Sequence, residues 1–588
     1  MLFGKLHKLT ILGVAAALVA TACTKKVDDK DTTLNISVKA NIKGLDPIHA
    51  SDLYSSTAIG QLFDGLLEYH HLKRPFELQP AMAASMPEVS KDGLTYTFKL
   101  KPGLKFTDDA AFPDGKGREV TAEDFVYSWK RLADPRNTSD GFWIFDGKIK
   151  GLNEWASAVK AEKADYSTPV EGLQATEKHT LVVKLTQPYH QMLWVLAMPY
   201  ASVVAKEAVE KYGAEVINHP VGTGPFKLEN WTRNSKIEMV RNPNFREDTY
   251  PTEGEKGDQE AGLLADAGQK VPFSEKLVIH EITEDQPRWQ NFMKGNLDVE
   301  GIPNDNFDST VKDNKLVADM TNKGISLAIS PQLDVTYIAF NNQDKILSNK
   351  NLRHAVALAN DVETSIQKFY NGRAISAQSP IPPGIDSYSE SYRGPFSKRD
   401  VKAAKAALAK AGYPDGKGLP ELTYETLADS KARQQAEFFA QNMAEAGIKV
   451  KISSNTWPQF QEKIKTGQAQ IWGIAWGADY PDAQNFYQLF YGKNLPPGPN
   501  DSRYSNPAFD KVYEQTLLLP PGPARTALYV KLRDILAEDQ PWVYNVHRLR
   551  YATVHGWVKN YKYNDLSNDF LKYVKVDPKK RAELKTKL

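Results

Sequence analysis

Residues 422–480 read LTYETLADSKARQQAEFFAQNMAEAGIKVKISSNTWPQFQEKIKTGQAQIWGIAWGADY. Leu422–Leu427 and Lys449–Ser453 have the composition of strands, and Ile471–Gly477 is an apolar run of strand length. Between them Ala432, Ala436, Phe439 and Met443 fall on one helical face, and Trp457–Lys465 predicts a second helix. Strands alternating with helices at this spacing predict a parallel-rich sheet with helices on its faces, an α/β architecture. In such sheets ligands sit beyond the carboxyl ends of the strands. That rule points to Trp476, Gly477, Ala478 and Asp479.

Outward from this run the same grammar extends back to about Leu333. Asn351–Phe369 predicts a helix, and Val401, Ala404, Leu408 and Ala411 mark another that closes at Gly412. Nearer the amino terminus Leu34–Ala40 alternates as a strand, and Ser55–Tyr69 predicts a helix carrying Ile59, Leu62, Phe63 and Leu66. Thr95–Leu100 reads as a half-buried strand, and Thr121 with Asp124 forms a capping-box pattern before Phe125, Val126 and Trp129. Thr180–Leu185, Lys227–Trp231, Lys236–Val240 and Lys276–Ile282 are further strands with few helices between the later ones, which predicts a mixed sheet. Pro251–Pro272 is acidic and glycine-rich; it reads as a solvent-exposed insertion or as a docking surface. No tandem repeat is present.

The first 22 residues combine Lys5 and Lys8, an apolar stretch at Thr10–Ala20, and small residues before Cys23. This is the pattern of an export signal, and its apolar run is shorter than the ~20 residues a bilayer span needs. Outside that segment 72 basic residues face 72 acidic ones. Such a balance disfavours nucleic acid as a partner. Cys23 is the chain's only cysteine, so an intrachain disulfide is excluded; it reads either as an acylation site or as an incidental residue of an ordinary secreted protein. Residues 24–33, TKKVDDKDTT, suit a flexible tether.

Signatures of catalysis are scarce. The sequence has no phosphate-binding G-x-x-x-x-G-K-[ST], no G-x-S-x-G, no EF-hand loop and no cysteine pair. His280-Glu281 begins a zincin motif, but Glu284 stands where the second histidine belongs, so no metal site and no cofactor are predicted. Two acids remote in sequence could still meet in a cleft, which keeps a secreted hydrolase as a rival reading. A binding cleft needs only aromatic surface and a few placed charges. Trp457, Trp472, Trp476, Tyr480, Phe486 and Tyr487 cluster around one strand end, most of them as core. A carboxylate there, Asp479, is costly unless paired, and its partner is either an internal Lys or Arg or a ligand ammonium.

Several segments in order carry a resemblance. They are Leu45-Asp46-Pro47 with LFDGLL at 62–67, DGLTYTFKLKPGLKF at 92–106 with VTAEDFVYSW at 120–129, and TGPF at 223–226. Asn341-Asn342, LRHAVALA at 352–359 and WGADY at 476–480 follow. Together these segments resemble the oligopeptide- and dipeptide-binding proteins of bacterial ABC importers, extracellular solute-binding family 5, across nearly the whole mature chain. The signal is similar to that of a bacterial lipoprotein, with Cys23 as the lipid attachment residue.

The resemblance implies a two-lobed periplasmic-binding-protein fold of the cluster C type, with an extra subdomain inserted in the first lobe. Its expected boundaries are 1–22 for the signal, 23–33 for the tether, 34–66, 185–332 and 547–588 for lobe I, 67–184 for the insert and 333–546 for lobe II. Strands are expected to cross between lobes near Leu333–Ala339 and Trp542–Arg548. The resemblance further implies that Asp479 pairs with a peptide α-amino group, that Trp476, Gly477 and Ala478 bond the peptide backbone, and that Ser51, Asp52 and Leu53 face them. Trp457 matches a pocket-lining tryptophan, while Phe142, Trp143 and Phe145 fall where the insert reaches the cleft. Relatives can carry a basic residue for the peptide carboxylate where this chain has Gly473, so that partner is unassigned. The expected protein is a monomeric, lipid-anchored receptor of the cell envelope, without catalysis, that captures an oligopeptide-like solute for an ABC permease. A non-peptide solute such as an oligosaccharide, metal complex or haem is the alternative.

Overall fold

The run Trp542–His555 forms one fourteen-residue strand shared by two groups of neighbours. Its first part pairs antiparallel with Asp334–Phe340; its second part, from Leu549, pairs with Ile325–Pro331 and Val299–Gly301. Only Gln332 and Leu333 separate the two long partners, so both chain segments pass from one group of neighbours to the other at a single crossing. The register shifts between Thr336 and Tyr337, which bends the ladder there. Asp334 pins the crossing: its carboxylate accepts from the Arg548 backbone N–H at 3.1 Å and from Arg548 Nε at 2.6 Å. The computed structural model describes residues 31–588 except Pro497. The export signal, Cys23 and most of the tether lie outside the described residues.

Beyond the crossing, the sheet continues through Ile471–Gly477, Leu422–Leu427 and Val450–Asn455. Leu422–Leu427 is parallel to both of its neighbours, as the alternation predicts, while Asp334–Phe340 joins antiparallel, so the sheet is mixed. The helix Ser430–Glu445 buries Ala436, Phe439 and Met443 against it. The helix Trp457–Thr466 starts at a capping box of Thr456 and Gln459 and stops at Gly467, whose φ of 78° suits only glycine comfortably.

On the other side Leu34–Val38 runs parallel to Lys276–Glu281, followed by antiparallel Lys236–Arg241 and Phe226–Thr232, the expected mixed sheet. A further antiparallel sheet holds Thr95–Lys99 and Thr180–Lys184, backed by the helix Ala122–Ala133, whose Thr121–Asp124 capping box forms as predicted. One hydrophobic core joins these two sheets, from Leu34 to Ile279, and takes in Trp557–Leu584 from the end of the chain. Separate cores lie under the long sheet. Among the described residues no helix is long and apolar enough to cross a membrane.

Two local expectations need correction. The helix expected over 55–69 is Leu53–Leu62, because Asp52 caps it two residues earlier and Phe63 is already extended; Leu67–Tyr69 is a strand. The helix expected over 351–369 is two, Lys350–Ala359 and Val362–Tyr370, because Asp361 leaves the helical path and accepts from the Thr364 N–H at 3.0 Å. The acidic segment 251–272 is mostly solvent-exposed, as one of its two readings expects, and is fastened at two points. Asp258 and Asp266 are buried and paired at 2.8 Å with Lys562 and at 2.5 Å with Lys575.

Candidate functional site

A cleft follows one edge of Ile471–Gly477. Pairing of this strand with Leu422–Leu427 ends at Glu425–Trp472, whereas its opposite edge stays paired with Asp334–Phe340 as far as Gly477. From Gly473 onward, among the described residues, the first edge therefore presents backbone N–H and C=O groups to no neighbouring strand. Such an edge accepts an added strand. Two chambers of about 1240 Å³ and 990 Å³ open along it and share Leu53, Gln332, Ala475, Arg548 and Arg550.

Asp479 lines the larger chamber, just past the strand end. Its Oδ2 accepts from Asn485 Nδ2 at 2.9 Å, and its own N–H donates to Asn485 Oδ1 at 3.1 Å. Trp476 Nε1 donates to the same oxygen at 3.0 Å, so one fully buried asparagine fixes both residues. Burial pushes the Asp479 carboxyl up to about 6, and the Asn485 donation only partly offsets this. No cation among the described residues opposes that rise: the internal Lys or Arg considered from the sequence is absent. What holds Asp479 is a neutral donor, and a cleft-lining carboxylate in a low-dielectric wall remains open to a ligand cation.

The other predicted residues divide. Ser51, Asp52 and Leu53 line the Asp479 chamber with Trp476, Gly477 and Ala478. Asp52 also caps its helix, accepting from Ser55 N–H at 2.9 Å, and Leu53 is half exposed. Trp143 lines the same chamber, but Phe145 does not: it is fully buried 4.8 Å from the Trp129 ring and belongs to the core. Phe142 is packed on that core and also lies off the chamber wall. Trp457, 44% exposed, lines the smaller chamber instead, so it is separated from Asp479 along the cleft. Tyr480, Phe486, Tyr487 and Trp472 are buried core, as most of this aromatic group was expected to be. At Gly473 a Cβ would stand 2.3 Å from the Tyr424 hydroxyl, so that phenol occupies the place where a basic side chain would begin. The residues that the sequence reading missed are Asn485 and the cations of the smaller chamber. Among the described residues no His, Cys, Asp and Glu group is arranged to hold a metal.

The description "Bacterial extracellular solute-binding proteins, family 5 Middle" matches residues 77–495, well over half of the chain. The chain belongs to the family 5 solute-binding proteins. It is 26% identical to heme-binding protein A of Haemophilus influenzae over 97% of this chain and 100% of that one. It is 28% identical to the oligopeptide-binding protein OppA of Bacillus subtilis over 88% of each. The Helicobacter pylori periplasmic binding protein DppA, solved with the peptide STSA, superposes with a TM-score of 0.74 at 24% identity, covering 93% of this chain and 98% of that one. The two-lobed periplasmic-binding-protein fold is thus shared across these proteins.

For a family 5 protein the Asn485 clamp makes a direct prediction. Asn485→Ala removes three hydrogen bonds, frees Asp479 and leaves the Trp476 indole N–H without an acceptor. We expect about a tenfold loss of solute affinity and a destabilisation of about 1–3 kcal/mol. Titration calorimetry and thermal melts read the two effects separately; unchanged affinity would show that Asp479 does not need its clamp.

Proposed function

We propose that this solute-binding protein captures short peptides in the interlobe cleft and passes them to an ABC permease. The observation carrying the reading is Asp479: a cleft-lining carboxylate with no protein cation among the described residues, beside a strand edge with no partner. The carboxylate would take the peptide ammonium, and the free edge would bond its backbone whatever the side chains. Volumes of this size leave room for water-filled side-chain pockets, which tolerate many sequences. In this reading the boundaries set out above divide the lobes, closure bends the two crossing segments near Asp334 and Arg548, and Cys23 anchors a monomer to the membrane by lipid.

Native mass spectrometry of the purified protein, followed by denaturation, tests the proposal. Peptides of mixed sequence and narrow length are the expected cargo. A single non-peptide ligand, such as haem with its Soret absorbance, would overturn the substrate and keep the receptor. Turnover of added peptides or oligosaccharides would replace the receptor with a hydrolase.

A further inference from the structure

The smaller chamber is strongly basic. Six cations line it: Lys39, Arg288, Arg373, Lys431, Arg548 and Arg550. Four acids answer them, and each is already engaged. Asp285 and Glu300 bind the buried Arg288, with Lys39 only 3.9 Å from Asp285. Asp334 binds Arg548 at 2.6 Å, and Asp565 lies 3.8 Å from Arg550. Lys431 and Arg373 have no carboxylate within ion-pair distance among the described residues. Arg373 donates to the carbonyls of Ile302 at 2.8 Å and Tyr370 at 3.1 Å, which fixes its guanidinium without neutralising it.

These charges come from opposite walls. Lys39 follows the strand Leu34–Val38 of the first sheet, and Lys431 stands in the first turn of Ser430–Glu445 over the long sheet. Lys431 feels the charge across the gap: desolvation by the cavity walls, then Arg373 and Lys39, push its ammonium below the usual lysine value. Like charges facing across a cleft that must close repel unless an anion lies between them. The chain as a whole is nearly neutral, so this surplus is local.

We infer that the smaller chamber is an anion subsite, and that the cleft selects net-negative peptides whose ammonium lies at Asp479 and whose carboxylates lie between Lys39, Lys431 and Arg373. The inference rests on the peptide reading above and specifies its substrate class. Gly473 in one chamber and Gly477 in the other are four strand positions apart, about 13 Å. An extended peptide of about four residues spans that distance.

Calorimetric titration of the full chain with tetra-alanine, Ala-Ala-Glu-Glu and Ala-Ala-Lys-Lys tests it. The acidic peptide is expected to bind about tenfold or more tighter than tetra-alanine, and the basic one more weakly still. Raising salt from about 0.05 to about 0.5 M should erode that order, since the Debye length shrinks severalfold. In Lys39→Gln/Lys431→Gln the acidic preference should fall to about threefold or less, with tetra-alanine, which brings a single carboxylate to the same subsite, weakened less than Ala-Ala-Glu-Glu; both side chains are exposed, so the fold should be unaffected. Equal affinity of the three peptides for the wild-type protein would overturn the anion subsite and leave the peptide reading standing. No binding of any of them would overturn both.

Discussion

Asp479→Asn is expected to weaken binding of a peptide with a free amino terminus by about 10- to 150-fold, the equivalent of a charge-assisted hydrogen bond worth about 1.5–3 kcal/mol. The carboxylate sits in a wall that disfavours its charge, with Asn485 as its neutral partner at 2.9 Å. A peptide ammonium would therefore meet an uncompensated anion. Acetylating the peptide amine should cost the wild-type protein a comparable factor and the variant little, a cycle that isolates this contact from the rest of the site. Unchanged affinity in the variant would remove Asp479 from the site.

The same group sets a pH dependence with opposite signs for folding and binding. In the free protein the Asp479 carboxyl titrates at about 6, above the ordinary 3.8. The native state thus holds this proton more tightly than the unfolded chain does. Its contribution to stability is present below about pH 4 and is lost as pH rises through about 6. Binding runs the other way, because an ammonium needs the ionised form. Affinity should be full above about pH 7 and fall as pH drops through about 6, with proton release on binding near that value. Asp565, in the same cleft beside Arg550, is also raised by burial to about 6, so the Asp479→Asn variant is the control that assigns the slope. At about pH 7 the melting temperature of Asp479→Asn should equal or exceed that of the wild type.

The strand–helix run 422–477 was legible because each element there buries one face of a regular period, which leaves its mark on consecutive residues. The site was legible only in part. Asp479 stands in a motif, but Asn485, which holds it, lies six residues on in a buried helical turn where asparagine carries no periodic signal. Phe142, Trp143 and Phe145 look alike in sequence, yet a three-residue 3₁₀ turn sends Trp143 to the chamber and Phe145 into the core. A turn that short has no face to read. The break at Asn360-Asp361 did leave a sign, since Asp is a preferred N-cap residue, but the apolar spacing on either side overrode it. The basic chamber was hidden altogether: Lys39 is hundreds of residues from Arg373 and Lys431, and the local surplus disappears in a nearly neutral total.

Asp482→Ala is expected to destabilise the protein by about 3–5 kcal/mol, the cost of breaking a buried ion pair from one side. Asp482 and Arg525 are 4% and 3% exposed and joined at 2.8 Å. Arg525 Nε and Nη1 have no hydrogen-bond partner among the described residues, so this carboxylate is the guanidinium's main support. Asp482 also accepts from the Tyr529 hydroxyl at 2.7 Å and the Gln484 N–H at 2.9 Å, which closes the turn leading from Asp479 to Asn485. Gln191 Nε2, from the segment after Thr180–Lys184, reaches it at 3.2 Å and ties that segment to the turn. A melting temperature lower by about 6 °C or more follows for a cooperative unit of about two hundred residues. The pair Asp482→Leu/Arg525→Met should regain only part of that loss, because an apolar replacement removes both desolvated charges but leaves the Tyr529 hydroxyl and the Gln484 and Gln191 N–H donors without their acceptor. Affinity should not return with it, since neither Gln191 nor the turn that presents Asn485 recovers its acceptor. Full recovery of binding in the double variant would mean that Asp482 serves the fold alone and that the Asp479 turn is held by Asn485 without it.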